Sequence, residues 1–236
     1  MCNESCLDFG KKSLKEEYIR DKSVIEVGSI DINGSLRPFV ELFKPREYIG
    51  VDIQMGPGVD QICEAENLIS KFGCNRFDVL ICTEVLEHVR DWREVVHNLK
   101  QIIKPSGILL ITTRSKGFHY HGFPFDFWRY EISDIETIFS DFNIKTLQKD
   151  EPKRPGIFLL AMKPQTFIEN RVANLNLCSP ILDKRLSVIR ASIYCKIIRV
   201  LFKMLKIKDY YIERIIHYNN HPLEILAMIT RKLKNK

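Results

Sequence analysis

Apolar runs and amphipathic stretches alternate over the first two thirds of the chain. Phe77–Cys82 and Gly107–Thr112 are apolar at nearly every position. That is the pattern of strands covered on both faces of a parallel sheet, not of strands with one face in water. After a helical lead over residues 11–20, Ser23–Val27 reads as the first strand. A helix starts near Ser35 and stops before Pro45, and Tyr48–Asp52 is the second strand. The Gly56-Pro57-Gly58 turn leads to a short strand Val59–Cys63, a helix Ala65–Phe72 and the fourth strand, Phe77–Cys82. Asp91 and Glu94 have the spacing of a capping box and open a helix that ends before Pro105, ahead of the fifth strand Gly107–Thr112. Ser133 and Glu136 repeat that spacing, and Phe142–Gln148 with Gly156–Ala161 predict a closing hairpin. Strands and helices alternating at this interval predict one α/β domain, a doubly wound, mostly parallel sheet of seven strands.

Past Pro164 the periodicity turns to helix only. Arg185, Lys196, Arg199, Lys203 and Lys206 fall on one side, while Leu186, Val188, Ile189, Ile193, Ile197, Val200, Leu201 and Met204 fill most of the rest. The predicted division is therefore an α/β domain over 1–164 and a basic amphipathic helical extension over 165–236. Charge follows the same division. Residues 165–236 hold 14 Lys/Arg and 5 Asp/Glu, a net of +9, which leaves 22 basic and 25 acidic residues, a net of −3, for the remainder. Electrostatic attraction to a partner thus belongs to the extension alone. Three uses of it stay open: docking on the domain or pairing with a second copy as a homodimer, contact with an anionic membrane surface, and, less readily, nucleic acid.

Composition narrows the setting. Seven cysteines at 2, 6, 63, 74, 82, 178 and 195 form an odd set without a CxxC pair, which fits reduced thiols in a cytoplasm better than a disulfide framework or a zinc site. The N-terminus MCNESCLDFGKK lacks the basic-then-apolar order of a signal peptide, and no apolar run reaches the ~18 residues of a membrane span. The expected location is cytoplasmic, with room for a peripheral membrane contact. No metal-ligand cluster is apparent in the sequence.

The chemistry starts in the first strand and its loop. Val24–Asp52 reads VIEVGSIDINGSLRPFVELFKPREYIGVD: a strand ending in Glu26 and Gly28, a turn with Gly34, a helix, and a second strand ending in Asp52. A pyrophosphate cofactor needs the G-x-G-x-x-G spacing, so that bare backbone N–H groups reach its phosphates. Here Ile30 and Asn33 stand where the second and third glycines belong, and Asp31 would repel phosphate. An acid-bearing loop suits a cationic cofactor without phosphate. S-adenosyl-L-methionine fits, with a sulfonium, an ammonium and a ribose diol for Asp52. An acid at the end of a second strand also serves dinucleotides, so Asp52 argues for a ribose and not for one cofactor.

With CTEVLEHVRDW (Cys82–Trp92) and LKQIIKPSGILLITT (Leu99–Thr113) added, residues 20–163 resemble the class I S-adenosylmethionine-dependent methyltransferases, of Rossmann-like fold. The closest likeness is to the methyltransferase-domain group whose fourth strand runs into LEH. Two departures stand out: Ser106 replaces a usual second glycine, and EVGSIDING replaces the E/D-x-G-x-G-x-G loop. The resemblance implies that Glu26 answers the cofactor's amino group and that Gly28, Ser29 and Gly34 border it. Asp52 would take the ribose hydroxyls, Ile53 would pack on adenine, Glu64 and Ala65 would read the adenine edge, and Thr83 and Glu84 would lie beside the methionyl end. Simpler alternatives remain: Gly34 as part of an Asn33-Gly34 turn, Glu64 and Ala65 as a helix start, and His88, a candidate base by its place after the fourth strand, as a packed, hydrogen-bonded loop histidine.

The segment Arg114–Tyr130, RSKGFHYHGFPFDFWRY, follows the fifth strand and interleaves aromatics with His119, His121, Asp126 and Arg129. It is the expected acceptor-selecting loop. Methyl transfer is an in-line displacement, so alignment dominates, joined by a base where the acceptor is a hydroxyl. His121, then His119, are the candidate bases, with Asp126 as orienting carboxylate. The plainer alternative is an aromatic cap in which Asp126 and Arg129 pair structurally. A small molecule or glycan is the expected acceptor and O-methylation the expected reaction. An RNA methyltransferase anchored by the tail, a catalytically silent binding protein of the same fold, and a nicotinamide dehydrogenase are the rivals.

Overall fold

A computed structural model of the chain describes residues 4–119, 121, 126–180 and 183–189. The helical reading of Ile193–Met204 falls outside the described residues. The chain divides into two compact units, one of 1–86, 91–118 and 130–173, the other of 87–90, 119–129 and 174–236.

The first unit holds a seven-stranded sheet. Its elements are α1 (Glu4–Ser13), α2 (Glu16–Ile19), β1 (Ser23–Val27), α3 (Arg37–Glu41), β2 (Glu47–Asp52), β3 (Gln61–Ile62) and α4 (Leu68–Phe72). They continue with β4 (Phe77–Thr83), α5 (Trp92–Ile102), β5 (Ile103–Arg114), α6 (Ile132–Ile138), β6 (Asn143–Lys149) and β7 (Gly156–Met162). Strand order is β3-β2-β1-β4-β5-β7-β6. The first five strands are parallel, and β7 enters antiparallel between β5 and β6. This is the doubly wound, mostly parallel sheet that the buried apolar runs imply. Its carboxyl edge gathers Val27, Asp52, Ile62 and Thr83, because Val27 is in register with Val51 and Cys82, and Asp52 with Ile62.

One face of the sheet is closed by the N-terminal helices. Cys6, Phe9, Leu14 and Ile19 join Leu36 and Val40 over Val24, Val79, Ile81, Ile108, Leu110, Phe158 and Leu160. Burial of this contiguous apolar set is the dominant stabilising term. In α5, Val95, Leu99 and Ile102 are fully buried, and Asn98 ties it to α4 by accepting from the Ile69 N–H at 2.9 Å. Lys163 has its ammonium in the interior and donates to the carbonyls of Lys100 and Ile103 at 2.9 and 2.7 Å. Those carbonyls close α5, so the lysine acts as its C-terminal cap.

Three local expectations change. The lead helix lies at Glu4–Ser13, with Cys6, Phe9 and Gly10 buried at i, i+3, i+4 spacing, and only the short α2 overlaps the rest of 11–20. Helix α6 is capped by Glu131 and Asp134, whose side chains bond each other's backbone N–H, not by Ser133 and Glu136. Past Pro164 the described residues are not helical. Residues 164–173 run as irregular chain, and in the second unit Leu177–Ser179 (β8) pairs antiparallel with Lys184–Leu186 (β9). Leu177 is in register with Leu186, so Arg185 and Leu186 belong to a two-residue period there and not to a helical one.

Candidate functional site

The loop after β1 determines which ligands the carboxyl edge can take. Gly28 turns with φ of 78°, and a Cβ built on it would lie 2.2 Å from Val85 Cγ2, so only glycine fits. The N–H groups of Gly28 and Ser29 both donate to Val51 O, at 2.9 and 3.1 Å. Asp31 N–H donates to Pro57 O at 2.8 Å, and Ile30 N–H to Asp52 Oδ2 at 3.3 Å. Asp31 Oδ1 in turn accepts from Gly34 N–H at 2.9 Å, which makes Gly34 (φ 110°) a turn residue. These amides are engaged by the protein's own oxygens, and the helix that follows is one short turn. No phosphate cradle exists here of the kind a dinucleotide uses.

Charge agrees with that geometry. Glu26, 2% exposed at the end of β1, accepts from the Tyr48 hydroxyl at 2.5 Å. Burial pushes its carboxyl up to about 7, against which the Tyr48 hydrogen bond and the Arg37 guanidinium act only partly. Asp52 is 9% exposed and holds its oxygens by the N–H groups of Ile30 and Gln54, at 3.3 and 3.4 Å. Each carboxylate oxygen keeps a second lone pair for a ligand hydroxyl. Ile53 is 43% exposed beside it. Glu64 precedes the turn Ala65–Asn67 and accepts from Asn67 Nδ2 at 3.3 Å, while Ala65 is buried. Ser29 is buried, with its side chain 2.8 Å from where a Cβ on Gly50 would sit. A cationic, phosphate-free ligand with a vicinal diol therefore fits these residues, and S-adenosylmethionine has that chemistry.

Thr83 ends β4 in register with Thr112, and Glu84 follows in the left-handed region at φ 58°. Glu84 is buried in an ion pair with Arg114 Nε and accepts from Thr112 Oγ1 at 2.9 Å. Arg114 also donates to Asp150 Oδ2 at 3.1 Å. The sequence reading placed Glu84 in the site without its arginine. The available signal was an acid directly after a buried strand, which demands a countercharge at the level where the neighbouring strand ends.

The second unit assembles most of the polar residues expected of the acceptor loop. The segments 87–90 and 119–129 follow β4 and β5 in the chain. Asp126 is fully buried and forms an ion pair with Arg129, and it accepts from the His121 backbone N–H at 2.7 Å. His121 Nδ1 lies 3.2 Å from the same carboxylate. Burial alone would push Asp126 up, yet Arg129 and His121 hold it below the ordinary carboxylate range. Arg129 reaches His119 through that residue's backbone oxygen at 3.1 Å. Asp126 thus touches both His121 and Arg129. Glu87, absent from the sequence nominations as a site residue, is fully buried with His88 Nε2 at 3.9 Å and His121 Nε2 at 3.8 Å. The neighbouring histidines outweigh burial and hold Glu87 below its usual range.

The open, mostly parallel sheet, with the acid Asp52 at the end of β2 and an acid-bearing loop after β1, suits an α/β enzyme that uses a nucleoside cofactor. The methyltransferase-domain family matches residues 5–150, and the chain belongs to it. S-adenosylmethionine-dependent methyl transfer is the chemistry of that class. Among solved structures, an S-adenosylmethionine-dependent methyltransferase from Mesorhizobium loti superimposes with a TM-score of 0.51 at 15% identity, covering 66% of this chain and all of that one. A 1,6-didemethyltoxoflavin-N1-methyltransferase from Burkholderia thailandensis, solved with S-adenosylhomocysteine, gives 0.54 at 16% identity over 69% of this chain and 80% of that one. By sequence, a ubiquinone biosynthesis O-methyltransferase of Coxiella burnetii is 27% identical over 92 residues, 39% of this chain. The match spans 36% of that relative, about a third of its length. Its counterpart in Rickettsia prowazekii is 48% identical over 40 residues, 17% of this chain and 16% of that one.

Proposed function

We propose that the protein transfers the methyl group of S-adenosylmethionine to a hydroxyl of a small molecule or glycan, with His121 as general base and Asp126 as its orienting carboxylate. The observation that carries the reading is the His121 ring, tied through Nδ1 to a buried carboxylate that Arg129 clamps. With the Nδ1 proton on that bond, Nε2 is the ring nitrogen that takes up a proton. Glu26, Gly28, Ser29, Gly34, Asp52, Ile53, Glu64, Ala65, Thr83 and Glu84 are proposed to surround the cofactor. Within this set Asp52 receives the ribose diol and Glu26 the ammonium. Glu84, already paired with Arg114, shapes the wall and does not meet the cofactor's charge. The O-methyltransferase names of the partial sequence relatives support a hydroxyl acceptor.

Two substitutions separate cofactor from base. Asp52→Ala is expected to weaken S-adenosylmethionine binding by one to two orders of magnitude, about 1.5–3 kcal/mol for two hydrogen bonds to a charged group, read by calorimetry. His121→Ala is expected to lower turnover by about 10²–10⁴ while leaving that affinity nearly unchanged. Equal losses in both quantities for His121→Ala would refute the base.

A further inference from the structure

We propose that Glu87, His88 and His121 form a binding site for one first-row transition-metal dication, a two-histidine, one-carboxylate site. One ligand atom from each residue lies within 4.8 Å of the others. The Glu87 oxygen is 3.9 Å from His88 Nε2 and 3.8 Å from His121 Nε2. Those separations are longer than a hydrogen bond of about 2.7–3.2 Å. They stand close to the ~3.4 Å edge of a tetrahedron with metal–ligand bonds of about 2.0–2.1 Å. Contraction by about half an ångström closes the two Glu87–His edges, and turning the two imidazoles toward each other by about 1.4 Å closes the longest separation, 4.8 Å.

The surroundings have the order of a metal site. The nitrogen of His121 remote from Glu87 faces the Asp126 carboxylate at 3.2 Å, and Asp126 is itself fixed by Arg129. A carboxylate behind a histidine sets which ring nitrogen carries the proton and leaves the other as a donor. The His88 and His121 rings meet edge-on with centroids 4.8 Å apart, which brings two imidazoles to one side of the same carboxylate. Glu87 is fully buried, whereas the His88 and His121 side chains are 23% and 14% exposed, so the cluster keeps an entry path. Two imidazoles and one carboxylate select Zn²⁺, Fe²⁺, Co²⁺ or Ni²⁺ over the all-oxygen shells that Mg²⁺ and Ca²⁺ prefer. Glu84, three residues earlier, does not join, being held by Arg114. The occupied site would staple the segment after β4 to the segment after β5. In that state His121 Nε2 is a ligand, and an acceptor hydroxyl on the metal would be acidified by the cation instead of deprotonated by free imidazole. The base of the proposed function and the metal site are then two states of one cluster.

The test uses the full chain, stripped with a chelator and titrated with Co²⁺ and Zn²⁺. Expected are one equivalent of Co²⁺ bound with the visible absorption of a nitrogen–oxygen site, displacement by Zn²⁺, and a raised melting temperature on loading. Glu87→Gln, His88→Ala and His121→Ala should each weaken binding at least 30-fold, and Asp126→Asn about 10–100-fold. His97→Ala, a histidine of the first unit, should leave it unchanged. Glu87→Gln is nearly isosteric, so it keeps the test sharp where a histidine variant fails to fold. Absence of saturable binding by the wild-type chain, binding indifferent to Glu87→Gln, or preference for Mg²⁺ over Co²⁺ would each overturn the site. None of these readouts uses methyl transfer, so the metal can fail while the base stands. Loss of the base would appear separately, as His121→Ala turnover equal to wild type in chelated protein.

Discussion

At the scale of single residues, Glu26 couples the stability of the fold to pH. Its folded value of about 7 stands above the ordinary 4.5 because burial disfavours the charge. Between those two values the native state holds a proton that the unfolded chain has released. Stability therefore falls as pH rises through that window and levels off above it, by roughly 3 kcal/mol in all. Urea midpoints at pH 5 and pH 8 should show this slope in the wild type and a much smaller one in Glu26→Gln. A slope unchanged in the variant would assign it to other groups. The same proton bears on binding. With Glu26 as the carboxylate for the ammonium, S-adenosylmethionine affinity should drop about tenfold per unit below pH 7, and Glu26→Gln should abolish that dependence. Calorimetry across pH 5.5–8 checks it.

At the scale of elements, β4 and β5 carry a buried charge network whose weights are unequal. Arg114 answers two buried carboxylates, Glu84 and Asp150, whereas Glu84 keeps the Thr112 hydroxyl when its charge is removed. Arg114→Met should thus cost about 3–5 kcal/mol, the range for stranding buried charge, and Glu84→Gln distinctly less. Unfolding free energies in urea decide the order; a larger loss from Glu84→Gln would contradict it. The same pair shows what the sequence could and could not reveal. Strands β1, β4 and β5 were legible because a parallel strand covered on both faces must be apolar throughout, and Asp91 with Glu94 marked the start of α5 by a local rule. Pairings between distant positions left no such mark. Arg114 meets Glu84 only through the β4–β5 register, and His121 reaches Glu87 across 34 residues of chain. The β8–β9 hairpin was missed for the opposite reason. Its three-residue strands are too short to display a two-residue period against the helical pattern that follows.

At the scale of the whole molecule, the nominated cofactor residues all lie between Glu26 and Glu84, while the net positive charge lies beyond Ile189. Residues 190–236 contain 11 Lys/Arg and 3 Asp/Glu, a net of +8, so a chain ending at Ile189 changes from +6 to −2. The loss removes a long-range field and, on the present reading, no cofactor contact. Since S-adenosylmethionine is cationic, its encounter with a positively charged molecule is slowed by repulsion, and screening by salt relieves that. The shortened chain should bind S-adenosylmethionine with an affinity within about threefold of the full chain at physiological salt, where the Debye length is about 8 Å. At low salt the full chain should associate more slowly than the shortened one. Adsorption to anionic vesicles should go the other way, strong and salt-sensitive for the full chain and weak for the shortened one, at about 1 kcal/mol per basic residue near the surface. Calorimetry, stopped-flow association and vesicle sedimentation on the two chains make the three measurements. A shortened chain that folds but loses the cofactor by tenfold or more would place part of the cofactor site in the tail and break the assignment of that site to the β1–β4 edge.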